Sequence, residues 1–326
     1  MKWGIVFANQ KWPQPEGAAA LAEYAEQAGF ESLWAQEHIV VPEEYEPLYS
    51  ATATGKLEAK GTEGGGPDPI VWFAFAAART TRIKFGTAVV ILPEHSPVPY
   101  AKSCATLATL ASGRFMLGIG IGWSKEEYAA VGVPWERRGA RYDEYIDVLK
   151  TLWRDPVASY HGEFVQFEPL RCEPKPPGGT IPLIIGGVSE PAVRRAARIG
   201  DGYFPAIFPT ERQRVELPPL LERFRAAARE YGRDPSSIEV TTGGARTVEE
   251  AKLYADWGVH RLTITTRARH PRHARGAVPL RRHGDRQDRD AVSGAEGVRP
   301  SWRSRARGPV ARRRPARFRW TARAAG

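Results

Sequence analysis

The feature that most constrains this chain is an alternation. Eight short, largely apolar runs recur along it, each separated from the next by a stretch with helical spacing or helix-capping signals. The runs are Trp3 to Phe7, Glu31 to Gln36, Ile83 to Leu92, Arg114 to Ile121, Ile181 to Ile185, Gly202 to Ile207, Ile238 to Thr242 and Arg261 to Thr265. A run that is apolar throughout suits a strand covered on both faces, as in a parallel sheet. Between the runs, Asp68-Pro69 reads as an N-cap and first turn, and Thr247 with Glu250 reads as a capping box. Leu217, Leu220, Leu221 and Phe224 form one helical stripe. The pattern predicts an α/β chain folded as a (β/α)8, or TIM, barrel, with an open doubly wound sheet as the runner-up. Val157 to Phe167 alternates around His161-Gly162 and reads as a hairpin outside the main sheet.

A barrel gathers its ligand-binding groups at the C-terminal ends of its strands. Polar and glycine-rich endings are expected there at Glu37-His38, around Gly120, at Gly186-Gly187 and at Asp201-Gly202. The densest is GRFMLGIGIGW, Gly113 to Trp123. Gly118, Gly120 and Gly122 remove side chains where the strand ends, which lets the backbone bend or lets a ligand approach it. Trp123 adds a flat surface at the rim. The polar, glycine-rich stretch from Pro42 to Pro67 is long enough for a lid or substrate loop.

His38 is the acid/base candidate, because imidazole titrates near neutral pH and this is the only histidine at an expected strand end. The competing reading is a packed or solvent-facing histidine. Glu37 precedes it and would point to the opposite face of an extended strand. Gly186-Gly187-Val188-Ser189 follows a strand and opens a helix, a place suited to a phosphate; the competing reading is an ordinary turn. Arg137, Arg138 and Arg141 surround Gly139 at the start of a helix and read as a solvated helix face, with an anion site as the competing reading. No HExxH, CxxC, GxSxG or EF-hand pattern occurs, so neither a metal site nor a serine hydrolase is expected.

The net charge of +10 misleads. Residues 267 to 326 carry eighteen Arg and four acids, while the first 266 carry twenty-nine basic and thirty-three acidic side chains. A nucleic-acid reading would therefore rest on the tail alone and is not favoured. No apolar run is long enough to span a membrane, and Cys104 and Cys172 match no disulfide or zinc pattern, so a cytoplasmic location is expected.

The segments GTAVVILPEHSPVPYAK, GRFMLGIGIGW, WERRGARYDE, PLIIGG and RRAARIGDGYFP, in that order, resemble the luciferase-like monooxygenase superfamily. More closely, residues 1 to 266 are similar to its actinobacterial flavin- or deazaflavin-dependent oxidoreductases. The resemblance implies a (β/α)8 barrel with an isoalloxazine or deazaisoalloxazine ring at the strands' C-terminal ends. It implies His38 as the catalytic histidine, preceded here by Glu37 where Asp is common. Thr87, Ala88 and Val89 would line the ring, often with a strained peptide bond. Gly120, Ile121, Gly122 and Trp123 would form the turn near the cofactor, and Gly186, Gly187 and Val188 would hold its phosphate. The implied cofactor is coenzyme F420, with FMN as the alternative. The implied reaction moves a hydride between F420 and a small organic substrate. The alternatives are an FMN-dependent monooxygenase using reduced flavin and oxygen, and a degenerate cofactor-binding protein.

The resemblance stops at the tail. Two segments are expected: a barrel over 1–266 and an irregular Arg-rich tail over 267–326 whose composition is that of a frameshift product, with a disordered basic extension as the alternative. Either way the helix that should close the barrel would be missing, leaving apolar surface on the eighth and first units exposed or covered by a partner, with a homodimer as one candidate.

Overall fold

The computed structural model describes residues 1–49, 52, 54–57, 65–207, 210–245 and 247–265. The Arg-rich tail, and with it the expectation about a closing helix, lies outside the described residues, as does part of the loop between Pro42 and Pro67. The strands in chain order are β1 (Lys2–Val6), β2 (Ser32–Ala35), β3 (Lys84–Thr87), β4 (Val90–Ile91), β5 (Phe115–Gly120), β6 (Ala158–His161), β7 (Gln166–Leu170), β8 (Leu183–Gly186), β9 (Gly202–Phe204), β10 (Glu239–Gly243) and β11 (Arg261–Thr265). The helices are α1 (Ala8–Lys11), α2 (Pro15–Gln27), α3 (Pro69–Ala77), α4 (Pro97–Leu110), α5 (Lys125–Ala130), α6 (Arg138–Arg154), α7 (Glu190–Ile199), α8 (Thr210–Glu230) and α9 (Val248–Asp256).

Strands β1, β2, β3, β5, β8, β9, β10 and β11 pair in parallel in that cyclic order. The ring is shut by β1 against β11, from Lys2↔Arg261 to Val6↔Thr265. The expected eight-stranded parallel barrel is therefore the observed one, and the open sheet is excluded. The antiparallel pair β6–β7 stands apart from it, as the sequence predicts.

Side chains alternate across the barrel wall. In β2, Leu33 and Ala35 join the core under the helices, while Trp34 points inward with Val6, Met116, Ile184 and Phe204. The indole of Trp34 is wholly buried, donates to Ser32 Oγ at 2.8 Å, and needs a glycine opposite: a Cβ on Gly86 would lie 2.6 Å from its ring. Truncating a buried indole typically costs about 3–5 kcal/mol. The caps at Asp68 and Thr247 are made, accepting from the Val71 and Glu250 amides, and Ser124 likewise accepts from Glu127.

Two expectations need correction. The run Ile83 to Leu92 is not one strand. It breaks after Thr87, where the Ala88–Val89 peptide is cis, and resumes as β4, which pairs with β5 at Val90↔Ile119. At the break the Thr87 hydroxyl donates to Gly118 O (2.6 Å) and accepts from Gly118 N (2.7 Å), replacing backbone pairing. Asp201-Gly202, in turn, precedes β9 instead of ending a strand. Asp201 Oδ2 accepts from the Leu183 amide at 2.8 Å, at the start of β8, so this pair belongs to the end of the barrel opposite the expected site.

Candidate active site

The chain leaves β2 into Gln36, Glu37 and His38 at the C-terminal rim. The buried Asn9 of α1 fixes this exit: its Nδ2 donates to Gln36 O and to Pro67 O, each at 2.8 Å, and its Oδ1 accepts from Gln36 N. Glu37 and His38 then diverge, as an extended chain requires. Glu37 Oε2 accepts from the Ile91 amide at 3.0 Å and pairs with His95 Nε2 at 2.9 Å. His38 Nδ1 meets Glu127 Oε2 at 2.8 Å. A carboxylate only accepts, so this contact puts the ring proton on Nδ1 and leaves Nε2 for proton exchange.

Glu127 is 1 % exposed and serves more than His38. Its Oε1 accepts from the Ile39 amide at 2.7 Å and the Val40 amide at 3.3 Å, tying the loop after β2 to α5. The same loop is tied again where Glu46 N donates to Glu126 and Lys125 pairs with Glu46. Trp123 lies under it, its ring 5.8 Å from His38, 5.2 Å from Tyr45 and 5.1 Å from Tyr49.

His38 is not the only histidine at a strand end, contrary to the sequence reading. His95 follows the β4 exit and stacks on Tyr100 at 4.1 Å. Beside it, Glu94 is 6 % exposed and neither of its carboxyl oxygens has a hydrogen-bond partner among the described residues. Burial, and then the charges of Glu127 and Glu37, push the Glu94 carboxyl up to about 9, so it is neutral at physiological pH. Sequence reasoning missed Glu94, His95 and Glu127. The one signal for the first two was their place just beyond the third apolar run.

The glycines gathered by the sequence reading do come together, around the broken strand. A Cβ on Gly118 would lie 1.7 Å from Thr87 O, and a Cβ on Gly120 or Gly186 would lie 2.8 or 2.7 Å from the Val89 side chain. Their bare backbones make room for the segment Thr87–Val89. Gly122 and Gly187 have positive φ (73° and 121°), and the Gly187 amide donates to Phe204 O at 3.3 Å.

Past Gly186, a cavity of about 370 Å³ opens between the N-termini of α6 and α7. Ile121, Arg138, Gly139, Gly186, Ser189 and Arg195 are among its lining residues. The Ser189 N-cap makes no side-chain hydrogen bond, so it leaves the helix's first amides uncapped. Arg195 is held by Asp143 at 2.7 and 2.8 Å, while Arg138 stacks on Trp135 at 3.6 Å with its buried Nε unpartnered. Arg141 departs from the solvated face expected of it: it is buried, donates to Pro134 O and packs on Phe164. Among the described residues no helix is long and apolar enough to cross a membrane, and no cluster of metal-ligating side chains occurs.

This architecture recurs in known proteins. Uncharacterized protein Rv0953c of Mycobacterium tuberculosis is 35% identical over 236 residues, 72% of this chain and 80% of the relative. The F420-dependent glucose-6-phosphate dehydrogenase of Kineococcus radiotolerans is 29% identical over 255 residues, 74% of this chain and 69% of the relative. The oxygenating constituent of 3,6-diketocamphane monooxygenase from the CAM plasmid of Pseudomonas putida, solved with FMN, shares the fold at a TM-score of 0.57. It is 21% identical, with 78% of this chain and 71% of that one covered. The sequence profile of the luciferase-like monooxygenases matches residues 1–307. The chain belongs to that family.

Proposed function

We propose that the chain is an oxidoreductase that moves a hydride between coenzyme F420 and a small organic substrate, with His38 exchanging the accompanying proton. The observation that carries this reading is the His38–Glu127 pair at the barrel rim, on the same side as an arginine-lined cavity. The residues present fit a phosphate-bearing cofactor. Arg138, with its buried unpartnered Nε, and the uncapped N-terminus of α7 supply donors for a phosphate. Gly186, Gly187 and Val188 would hold that end, while Thr87, Ala88, Val89, Gly120, Ile121, Gly122 and Trp123 would lie along the ring. When bound, the deazaflavin supplies the two-electron hydride chemistry. The chain's own part is to position and to manage the proton. Glu127 orients the His38 ring, and Glu37 anchors the Ile91 amide and His95 behind it.

The F420-dependent relative supports F420 as the cofactor. The FMN-bound neighbour supports a second reading, a monooxygenase using reduced FMN and oxygen. Titration of the full chain with each cofactor, read by absorbance, decides between them. F420 binding with substrate-dependent reduction or oxidation is expected; tight FMN binding with oxygen consumption and no response to F420 overturns the leading reading. His38→Ala is expected to keep cofactor affinity while lowering turnover about 10²- to 10⁴-fold, the usual contribution of a general acid or base. Unchanged turnover in a folded variant removes His38 from the chemistry.

A further inference from the structure

The rim of the barrel has two chemically different halves. The half toward α6 and α7 carries arginines, and the half over His38 carries aromatic rings and acids. Tyr45, Tyr49 and Trp123 form one aromatic surface with the His38 ring. Ile39, Val40, Val41 and Leu48 extend it with exposed apolar side chains on the same loop. Hydrogen bonds hold the surface in place: Glu127 fixes the Ile39 and Val40 amides, Glu126 fixes the Glu46 amide, and the Leu57 amide donates to the Tyr45 hydroxyl at 3.1 Å.

Charge separates the halves as sharply. Among the described residues of the loop after β2, Glu43, Glu44 and Glu46 stand against a single cation, Lys56, which shares a pocket with Glu43, Glu44 and Tyr45. Among the described residues, Lys125 is spent on Glu46, and Glu43 and Glu44 are exposed. Glu37 and Glu127 add carboxylates beneath. At physiological salt, charges interact over about 8 Å, so a phosphate or carboxylate brought to His38 would meet like charges at close range. An aromatic wall, by contrast, favours ring-sized apolar bodies through burial and edge-to-face contacts.

Resting on the reading that His38 faces the substrate, we infer that the substrate is an uncharged organic compound with an apolar, ring-sized body, and that Tyr45, Tyr49 and Trp123 are the residues that select it. An anionic substrate such as a sugar phosphate is rejected by the loop's acids. The specificity wall and the phosphate-holding arginines thus serve different ligands at neighbouring places on one rim, joined by the turn from Ile121 to Trp123.

The test is equilibrium binding on the full chain, measured by calorimetry with 1-indanol and with glucose 6-phosphate as probes. 1-Indanol is expected to bind at least about tenfold more tightly than glucose 6-phosphate. An aromatic contact of ordinary strength corresponds to about 3- to 10-fold in affinity, so Tyr49→Ala and Tyr45→Ala should each weaken 1-indanol by that factor. Tyr49 is on a partly exposed loop, and its variant keeps the test open if Tyr45→Ala fails to fold. Replacing Glu43 and Glu44 by Lys should bring glucose 6-phosphate affinity up. Equal affinity for the two probes, binding of neither, or indifference of 1-indanol to both tyrosine variants overturns the inference. If the binding pattern holds but neither cofactor supports turnover, the substrate wall stands and the redox reading falls.

Discussion

Arg261 and Glu31 are 230 residues apart in sequence and form a two-pronged ion pair, with Nε to Oε2 at 2.8 Å and Nη2 to Oε1 at 3.0 Å. The guanidinium is fully buried at the start of β11 and also reaches Glu239 and the Thr241 hydroxyl. This cluster closes the end of the barrel opposite the active site. Burial opposes ionisation of Glu31, but the hydrogen bonds and charge of Arg261 outweigh it and hold the carboxyl at about 2. The folded-state value is depressed, so the stabilisation is present above the unfolded value near 4.5 and is lost as pH falls toward 2. Glu31→Gln is expected to destabilise the barrel by about 3 kcal/mol at pH 7, since it leaves a buried charge short of its partner. In urea unfolding the gap between variant and wild type should narrow at pH 3; a gap independent of pH would contradict the assignment.

Glu94 has the opposite sign. Its folded-state carboxyl is raised to about 9, so the native protein holds a proton that the unfolded chain releases above about 4.5. Its contribution is full below that value and is lost as pH rises through 9. Glu94→Gln keeps the shape and removes the titration. The variant is expected to gain on wild type progressively as pH rises from 5 to 9, reaching several kcal/mol at pH 9 and little at pH 5. Parallel stability profiles for the two proteins would show that Glu94 is not neutral in the fold.

Glu127→Gln tests the support of His38. An amide oxygen can still accept from Ile39 and Val40, but it cannot stabilise a charged imidazole. Turnover should fall by about 10- to 100-fold and its pH profile should shift, with cofactor affinity preserved. A stability loss with an unaltered pH profile would mark Glu127 as a loop anchor only.

Arg138→Met probes the cavity. A hydrogen bond to a charged group contributes about 1.5–3 kcal/mol, which is about 10- to 150-fold in affinity. Titration of F420 at two salt concentrations should show that loss together with a shallower salt dependence. Full affinity in the variant would move the phosphate elsewhere.

Much of this molecule is legible in its sequence because barrel strands and helix caps are local. The eight apolar runs, the Asp68 and Thr247 caps and the hairpin need only neighbouring residues. The break at Ala88–Val89 is not local: it depends on Thr87 bonding to Gly118, so a run as apolar as Ile83 to Leu92 reads as continuous. The same holds for the site. His38 announces itself by following a strand, but its partner is 89 residues on, and Glu37's partner His95 is 58 residues on. The glycines of Gly113 to Trp123 read as a turn for a ligand. Two of them, Gly118 and Gly120, first accommodate Thr87 and Val89, which only the folded barrel brings near. Asp201-Gly202 went to the wrong end of the barrel because a glycine beside a strand looks the same before it as after it.

The pairing of β1 with β11 also sets a schedule for the chain as it is made. β1 leaves the ribosome well ahead of its second neighbour, which is encoded some 260 residues later. At roughly 5–20 residues per second, that wait is on the order of tens of seconds. Until β11 emerges, the nascent sheet is open, with the free edges of β1 and β10 both able to pair with other strands. The interval before closure is therefore when this protein is most exposed to misassembly, and chaperones engaging the nascent chain would act on those two edges.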